Sequence, residues 1–213
     1  MRKVLMVVSM MLLVATGGLC QRSGHSTTDY FNVPTANVVS EGMMAVALQG
    51  AGDEIWGKNN NLGISADLGV TERLQLSLTS DLENFKQENI LGGVKFVAGP
   101  ADAISKGGQV ALFLYNINDS KTMMPGAALT VDCPNLSWLS YSVSGWYVDS
   151  EWEGGVGVTA TLTPNFNLQT EYSTSDKYVF GVGLSYKNIF GEIRYIDNTD
   201  EFYGTAGLKL NIW

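Results

Sequence analysis

Histidine is almost absent from this chain. The single one among 213 residues, His25, sits with Ser23 and Ser26 in a polar stretch near the start. Enzymes that need a general base or an orienting imidazole most often use histidine, so no enzymatic activity is expected. Cysteine is nearly as scarce, with only Cys20 and Cys133. No Cys/His metal-ligand spacing exists, and no metal site or cofactor is expected. If Cys20 departs with a leader, no internal disulfide can form, and stability rests on hydrogen bonds and packing. Basic residues are also short, 13 Lys and Arg against 21 Asp and Glu. Nucleic acid is therefore not an expected partner, because phosphate binding needs a basic face. Long apolar runs are missing too. Beyond residue 20 no window reaches the roughly 20 apolar residues of a transmembrane helix.

What is present begins with Arg2 and Lys3, an unbroken apolar run from Val4 to Ala15, and a small-residue exit, Thr16-Gly17-Gly18-Leu19-Cys20. A basic start, an apolar run too short to span a bilayer and small residues at the exit predict a signal peptide over 1–20. Cleavage after Cys20 and cleavage after Gly18 both fit. Lipidation of Cys20 is an alternative that Leu19 opposes. Of the 13 basic residues, loss of Arg2 and Lys3 leaves 11 against 21 acids. The mature chain, about 190 residues, is one domain by length, with an extended segment at 21–40 leading into a β-domain at 41–213.

Past residue 40 the pattern is alternation cut by turn residues, the signature of half-buried strands. Leu62, Ile64, Ala66, Leu68 and Val70 alternate with Gly63, Ser65, Asp67 and Gly69; Val156, Val158, Ala160 and Leu162 alternate with Gly155, Gly157, Thr159 and Thr161. Twelve strands are expected, near 41–51, 60–70, 73–82, 89–98, 108–118, 123–132, 136–148, 152–163, 166–174, 177–187, 189–197 and 201–213, with ten as the alternative count. Over 108–118 two faces compete, Ala111, Phe113, Tyr115 and Ile117 against Val110, Leu112 and Leu114. The links fall into two kinds. One set is mostly tight (Thr71-Glu72-Arg73, Cys133-Pro134-Asn135, Thr163-Pro164-Asn165, Lys187-Asn188), with a longer stretch from Gly99 to Gly107. The other set is polar and acidic, as in Asn118-Asp119-Ser120 and Thr174-Ser175-Asp176. Such a two-stroke repeat of hairpins fits an all-β, up-and-down antiparallel barrel.

The polar face points to a membrane. A soluble sheet turns Lys, Glu and Arg toward water, whereas here the polar face is mostly Gly, Ser, Thr, Asn and Gln. The apolar face runs about ten residues with little charge, enough for a tilted strand to cross hydrocarbon. Aromatics gather at strand ends: Tyr147, Trp152, Tyr172, Tyr178 and Tyr195 at one rim, Phe166, Tyr186 and Trp213 at the other. A secreted soluble β-sandwich or barrel is the competing class.

With a cleavable leader, an even set of hairpins and a terminal aromatic, the chain resembles a Gram-negative outer-membrane β-barrel. That resemblance implies an outer-membrane location, lipid contact and insertion by the barrel-assembly machinery, which reads the last strand and its Trp213. One departure stands out. The face shared with Trp213 carries Gly207, Lys209 and Asn211, while Leu208, Leu210 and Ile212 lie opposite. A shorter stretch, "FNVPTANVVSEGMMAVAL" from Phe31 to Leu48, resembles the opening of barrels associated with exopolysaccharide export. Pro34 holds Val33 extended, and Ser40-Glu41-Gly42 turns the chain into the first strand. The segment is expected at the periplasmic mouth, partly covering the pore.

Alternation places Asp67, Lys95, Asp132, Glu171, Glu192, Arg194 and Lys209 on the lumen side. A cross-strand Glu192–Lys209 pair is expected, either within a structural network or within an ion-filtering constriction that adds Glu171 and Arg194. An acidic outer rim is expected from Asp81, Glu83, Asp119, Asp149, Glu151, Glu153, Asp176, Asp200 and Glu201, joined by Asp53, Glu54, Glu88 and Asp197. Only Lys58, Lys86, Lys121 and Lys177 oppose them. Such a ring concentrates cations, bridges through divalent cations to lipopolysaccharide phosphates, or merely keeps the rim solvated. The function expected is a passive, narrow, porin-like channel with a mild cation preference. The alternative is a non-conducting structural or accessory barrel, an envelope anchor or a partner in exopolysaccharide export.

Overall fold

A computed structural model describes residues 34–52, 61–81, 90–100, 108–174, 177–197 and 201–212. The expected leader at 1–20, most of the segment at 21–40 and His25 lie outside these residues. The strands are β1 (Met43–Gly52), β2 (Asn61–Thr71), β3 (Leu74–Asp81), β4 (Ile90–Pro100), β5 (Gly108–Tyr115) and β6 (Met124–Asp132). They continue as β7 (Leu139–Val148), β8 (Glu151–Thr163), β9 (Phe166–Ser173), β10 (Lys177–Tyr186), β11 (Ile189–Ile196) and β12 (Glu201–Asn211). Each pairs antiparallel with its sequence neighbours, and β12 returns to β1 to close the barrel. The closing seam runs in register from Met43 opposite Asn211 to Gly52 opposite Phe202. Closure leaves no edge, so every strand finds partners for its backbone N–H and C=O groups on both sides.

Most expected boundaries hold to within two residues; two move by three, each for a local reason. The strand expected at 136–148 starts at Leu139. Pro134 has no N–H to donate, and Leu136 N donates to Cys133 O (3.1 Å) and Leu139 N to Leu136 O (2.7 Å), so the link folds into its own turns. The strand expected at 108–118 ends at Tyr115 because Asn116 is left-handed, at φ 55°. Asparagine tolerates that region, and its side-chain amide donates to Thr122 O at 3.0 Å. The competition between faces in β5 resolves by burial: Ala111, Phe113 and Tyr115 face inward, and Leu112 faces out. Between β7 and β8, Asp149 and Ser150 both have positive φ (50° and 70°). That is the pattern of a two-residue hairpin turn matched to strand twist.

The exterior is apolar. Leu76, Leu78, Phe96, Leu112, Val143, Val156, Phe180, Val182, Leu184, Ile193, Leu208 and Leu210 all stand exposed on it. The end at which β1 begins and β12 stops is here the near end. At the far end three aromatic pairs cap successive hairpins, Tyr147–Trp152, Tyr172–Tyr178 and Tyr195–Phe202, with ring centroids 5.4, 5.0 and 5.1 Å apart. Trp138, Tyr141 and Tyr186 stand exposed toward the near end. An aliphatic band between two aromatic belts is the surface a hydrocarbon layer requires.

The interior is unevenly filled. Phe113, Tyr115, Met124, Ala128 and Trp146 form a buried cluster on the β5–β7 side, with the Phe113 and Tyr115 rings stacked at 5.0 Å. Inward large side chains stand opposite inward glycines: Phe113 opposite Gly126, Tyr115 opposite Gly93, Phe190 opposite Gly207, Asn167 opposite Gly183. A Cβ on those glycines would lie 2.3, 2.7, 2.3 and 2.4 Å from the facing side chain. The glycines provide the room that lets the rings lie flat along the inner wall.

Below the cluster, toward the near end, the chain before β1 lies inside the barrel. Pro34, Thr35 and Ala36 are fully or almost fully buried. The described part of this segment, residues 34–42, lies just inside the near mouth, packed on the inner faces of the strands and bonded to Gln75, Lys95 and Thr130.

Candidate lumen and its charged groups

Strand alternation brings Asp67, Lys95 and Glu171 into the interior, where all three are buried. Asp67 accepts a hydrogen bond from Gln75 Nε2 at 3.0 Å. Gln75 turns its Oε1 the other way and accepts from Val39 N at 2.8 Å. Lys95, directly opposite Gln75 across the β3–β4 pair, donates to Asn37 O at 3.0 Å. A buried ammonium needs such an oxygen, because taking it from water otherwise costs several kcal/mol. Thr130 Oγ1 accepts from Ala36 N at 2.8 Å and shares a 2.7 Å bond with Ser142 Oγ. Two of the expected lumen charges therefore serve the chain's own N-terminal segment, Lys95 directly and Asp67 through Gln75.

On the opposite wall Arg194 donates to Glu192, two residues away on the same face of β11. Gln169 Nε2 donates to Asn167 Oδ1 at 3.1 Å on β9. The side chains between them are small, because β10 contributes Gly181 and Gly183. This side of the interior, from β9 to β1, carries amides, the Glu192–Arg194 pair, Glu171, Thr205 and Gln49. Toward its ends the same wall carries larger side chains, Phe190 at the near end and the buried Val179 and Ile196 at the far end.

The expected Glu192–Lys209 pair does not form. Register sets Glu192 opposite Thr205, and Lys209 opposite Ala45. Phe190 occupies the space between, opposite Gly207, and the Lys209 ammonium lies over its ring at 5.8 Å. The reason is spacing. Two same-face residues along a strand are some 7 Å apart, so a four-residue offset puts the groups beyond reach. Arg194, one same-face step away, takes the carboxylate instead. Asp132 stands exposed at the near rim.

At the far rim the acids do different jobs. Asp149 forms the β7–β8 turn, and Glu151 is exposed opposite Val148. Glu153 departs from the expected rim position: it lies on β8 opposite Trp146 and accepts a hydrogen bond from the Trp146 indole at 3.0 Å. Trp146 is buried inside the barrel, so this carboxylate belongs to the interior wall. Asp119 holds the β5–β6 loop, with Oδ1 accepting from Lys121 N (3.0 Å) and Oδ2 from Thr122 Oγ1 (2.7 Å). The Thr122 hydroxyl, then the Lys121 amide, hold its carboxyl below the usual carboxylate value. The side chains of Asp81 and Glu201, and Glu83, Asp176, Asp200 and Trp213 altogether, lie outside the described residues, as do Asp53, Glu54 and Glu88.

A pH consequence follows for the Asp119 loop. Its folded-state pKa is depressed, so the loop's contribution is fully present above the ordinary carboxylate range and is lost as pH falls through the lowered value. Amide exchange at Lys121 is expected to accelerate there while the strands remain protected. In Asp119→Asn the acid transition should vanish; an unchanged transition would place the titrating group elsewhere.

Gln75, Thr130, Ser142 and the backbone of residues 36–39 carry much of the interior bonding, and nothing in the sequence pattern sets them apart. Alternation puts Gln75 and Thr130 on the polar face, but only the fold shows what they bond.

The solved structures of similar fold include two porins. A KdgM porin in complex with disordered oligogalacturonate superposes with a TM-score of 0.52 at 11% identity, over 78% of this chain and 97% of that one. A NanC porin gives 0.50 at 12% identity, over 77% and 97%. No family model and no curated protein matches the sequence. The likeness is one of architecture: a closed, twelve-strand, up-and-down barrel of the outer-membrane kind.

Proposed function

We propose that this protein is a small outer-membrane β-barrel that works as a passive, narrow channel with a mild cation preference. The observation that carries the channel reading is the uneven interior. One side is packed by an aromatic cluster and the N-terminal segment, while the middle of the β9–β11 wall is polar around Gly181 and Gly183, with larger groups, Phe190, Val179 and Ile196, toward its ends. Such a wall suits water and small polar solutes. The two porins of like fold support a channel. The KdgM structure holds oligogalacturonate, an acidic sugar, but the positive groups here are already engaged, Arg194 by Glu192 and Lys95 by Asn37 O. Net charge favours cations. Among the described strand residues, the buried or half-buried charges of the inner wall are Asp67, Glu153, Glu171 and Glu192 against Lys95 and Arg194. Outer-membrane lipid faces the aliphatic band. The rim acids, Asp119, Asp149 and Glu151 among them, would hold divalent cations that bridge to lipopolysaccharide phosphates. No catalytic role is assigned.

Purified protein in planar bilayers is expected to give discrete conductance steps, and a silent membrane would overturn the proposal. In a potassium chloride gradient the reversal potential should take the sign of potassium preference. Glu171→Gln removes one of the two excess interior negative charges and is expected to reduce that potential by about half. A reversal potential of chloride sign would refute the cation preference and leave the channel standing. The second reading, a non-conducting accessory barrel, is favoured by the N-terminal segment lying in the lumen, and the same recording decides between them.

A further inference from the structure

We infer that residues 34–42 are the size-limiting element of the lumen, an internal strap held by side chains that bind its backbone. The inference rests on the channel reading above.

Three features carry it. First, the strap doubles back. Gly42, left-handed at φ 73°, reverses the chain out of β1, and Gly42 N donates to Gly69 O at 3.0 Å. From there the strap runs into the barrel instead of away from it. Second, the wall is built to receive a main chain. Gln75 Oε1 accepts from Val39 N, Lys95 Nζ donates to Asn37 O, and Thr130 Oγ1 accepts from Ala36 N, at 2.8, 3.0 and 2.8 Å. Backbone groups brought into an interior must find such partners, and here β3, β4 and β6 each supply one. Third, the packing is specific. Ala36 is fully buried against Val97 and Ala111, with Val38 beside them. At Gly69 a Cβ would lie 2.1 Å from Ser40 O and 2.4 Å from Val39 O, so wall and strap meet backbone to backbone.

These contacts span β2 to β6, five of the twelve strands. The strap thus closes the near half of the lumen on one side. It leaves the half-buried polar groups of β9 and β11, Asn167, Gln169 and the Glu192–Arg194 pair, along the route past it. The limiting cross-section is then set by the strap and not by the strand number.

The test uses the full chain, refolded into detergent and recorded in planar bilayers with neutral polyethylene glycols of graded size. Gly69→Val puts a side chain where the strap backbone lies, and Lys95→Met with Thr130→Val removes two of its bonds. Both are expected to raise conductance roughly twofold, in keeping with the share of wall uncovered, and to admit larger polymers. In a separate arm, Asn37→Cys, at an exposed side chain of the strap whose backbone oxygen still meets Lys95, is made with Cys20→Ser and Cys133→Ser, and a bulky methanethiosulfonate is added. Because that arm leaves the strap seated, it does not depend on how well the other variants fold. Modification is expected to lower the conductance stepwise. Conductance and polymer cut-off unchanged in well-folded variants, or an Asn37→Cys channel indifferent to modification, would overturn the strap as size limit while leaving the channel reading intact. Silence from the wild-type protein and every variant would sink the channel reading and this inference with it.

Discussion

Val182→Arg is expected to cost about 2–4 kcal/mol of folding free energy in lipid vesicles, the range for an arginine on the lipid face near the bilayer midplane. Val182 stands midway along β10, opposite Leu168 on β9 and Ile193 on β11. All three side chains are exposed on the outside of the barrel. A guanidinium placed among them has hydrocarbon on one side and apolar neighbours on the others, with no acid in the row to meet it. Thr205→Arg is the matched comparison. Thr205 points inward opposite Glu192, so an arginine there gains a carboxylate and water, and its cost should be small. Urea titration of vesicle-inserted protein measures both. A neutral Val182→Arg beside a costly Thr205→Arg would mean that the wall has been assigned inside out.

Gly207→Val is expected to destabilise the barrel by about 3 kcal/mol, the upper end for forcing volume into a filled site. Gly207 lies on the closing strand, opposite Ala47 of β1 and Phe190 of β11. A Cβ there would stand 2.3 Å from the Phe190 ring and 2.5 Å from Val46 O. The ring can turn away. The Val46 oxygen is backbone of β1 and moves only if the β1–β12 seam opens. Phe190→Ala added to Gly207→Val should therefore recover part of the loss and not all of it, a non-additive pair of the kind touching residues show. Loss of the compact, unheated band on a denaturing gel reads the effect. Normal folding of the single variant would show that the seam tolerates more room than this geometry allows.

Much of this architecture is legible in the order of the amino acids. Strand number, order and most boundaries follow from period-two alternation and turn residues, which are local properties of the chain. The inward placement of Asp67, Lys95, Glu171, Glu192 and Arg194 follows from the same period. Where local pattern misleads, the missing information is not local. Glu153 reads as a rim acid because it follows a turn, yet the facing Trp146 makes it part of the inner wall. Shared face and neighbouring strands match Lys209 with Glu192, but the register that separates them is set by the Lys187–Asn188 turn and by Phe190.

The sequence by itself determined that this chain is an up-and-down barrel with an apolar outside and a polar inside. Each strand records its own two faces in alternate residues, and no distant contact is needed to read them. Only the tertiary structure decided what the inside contains. The strap at residues 34–42, the rings laid over facing glycines and the Glu192–Arg194 pair depend on which residues closure and register bring across the lumen. Ala36 and Thr130 are 94 positions apart, and no local pattern in either could announce that one would bond the other.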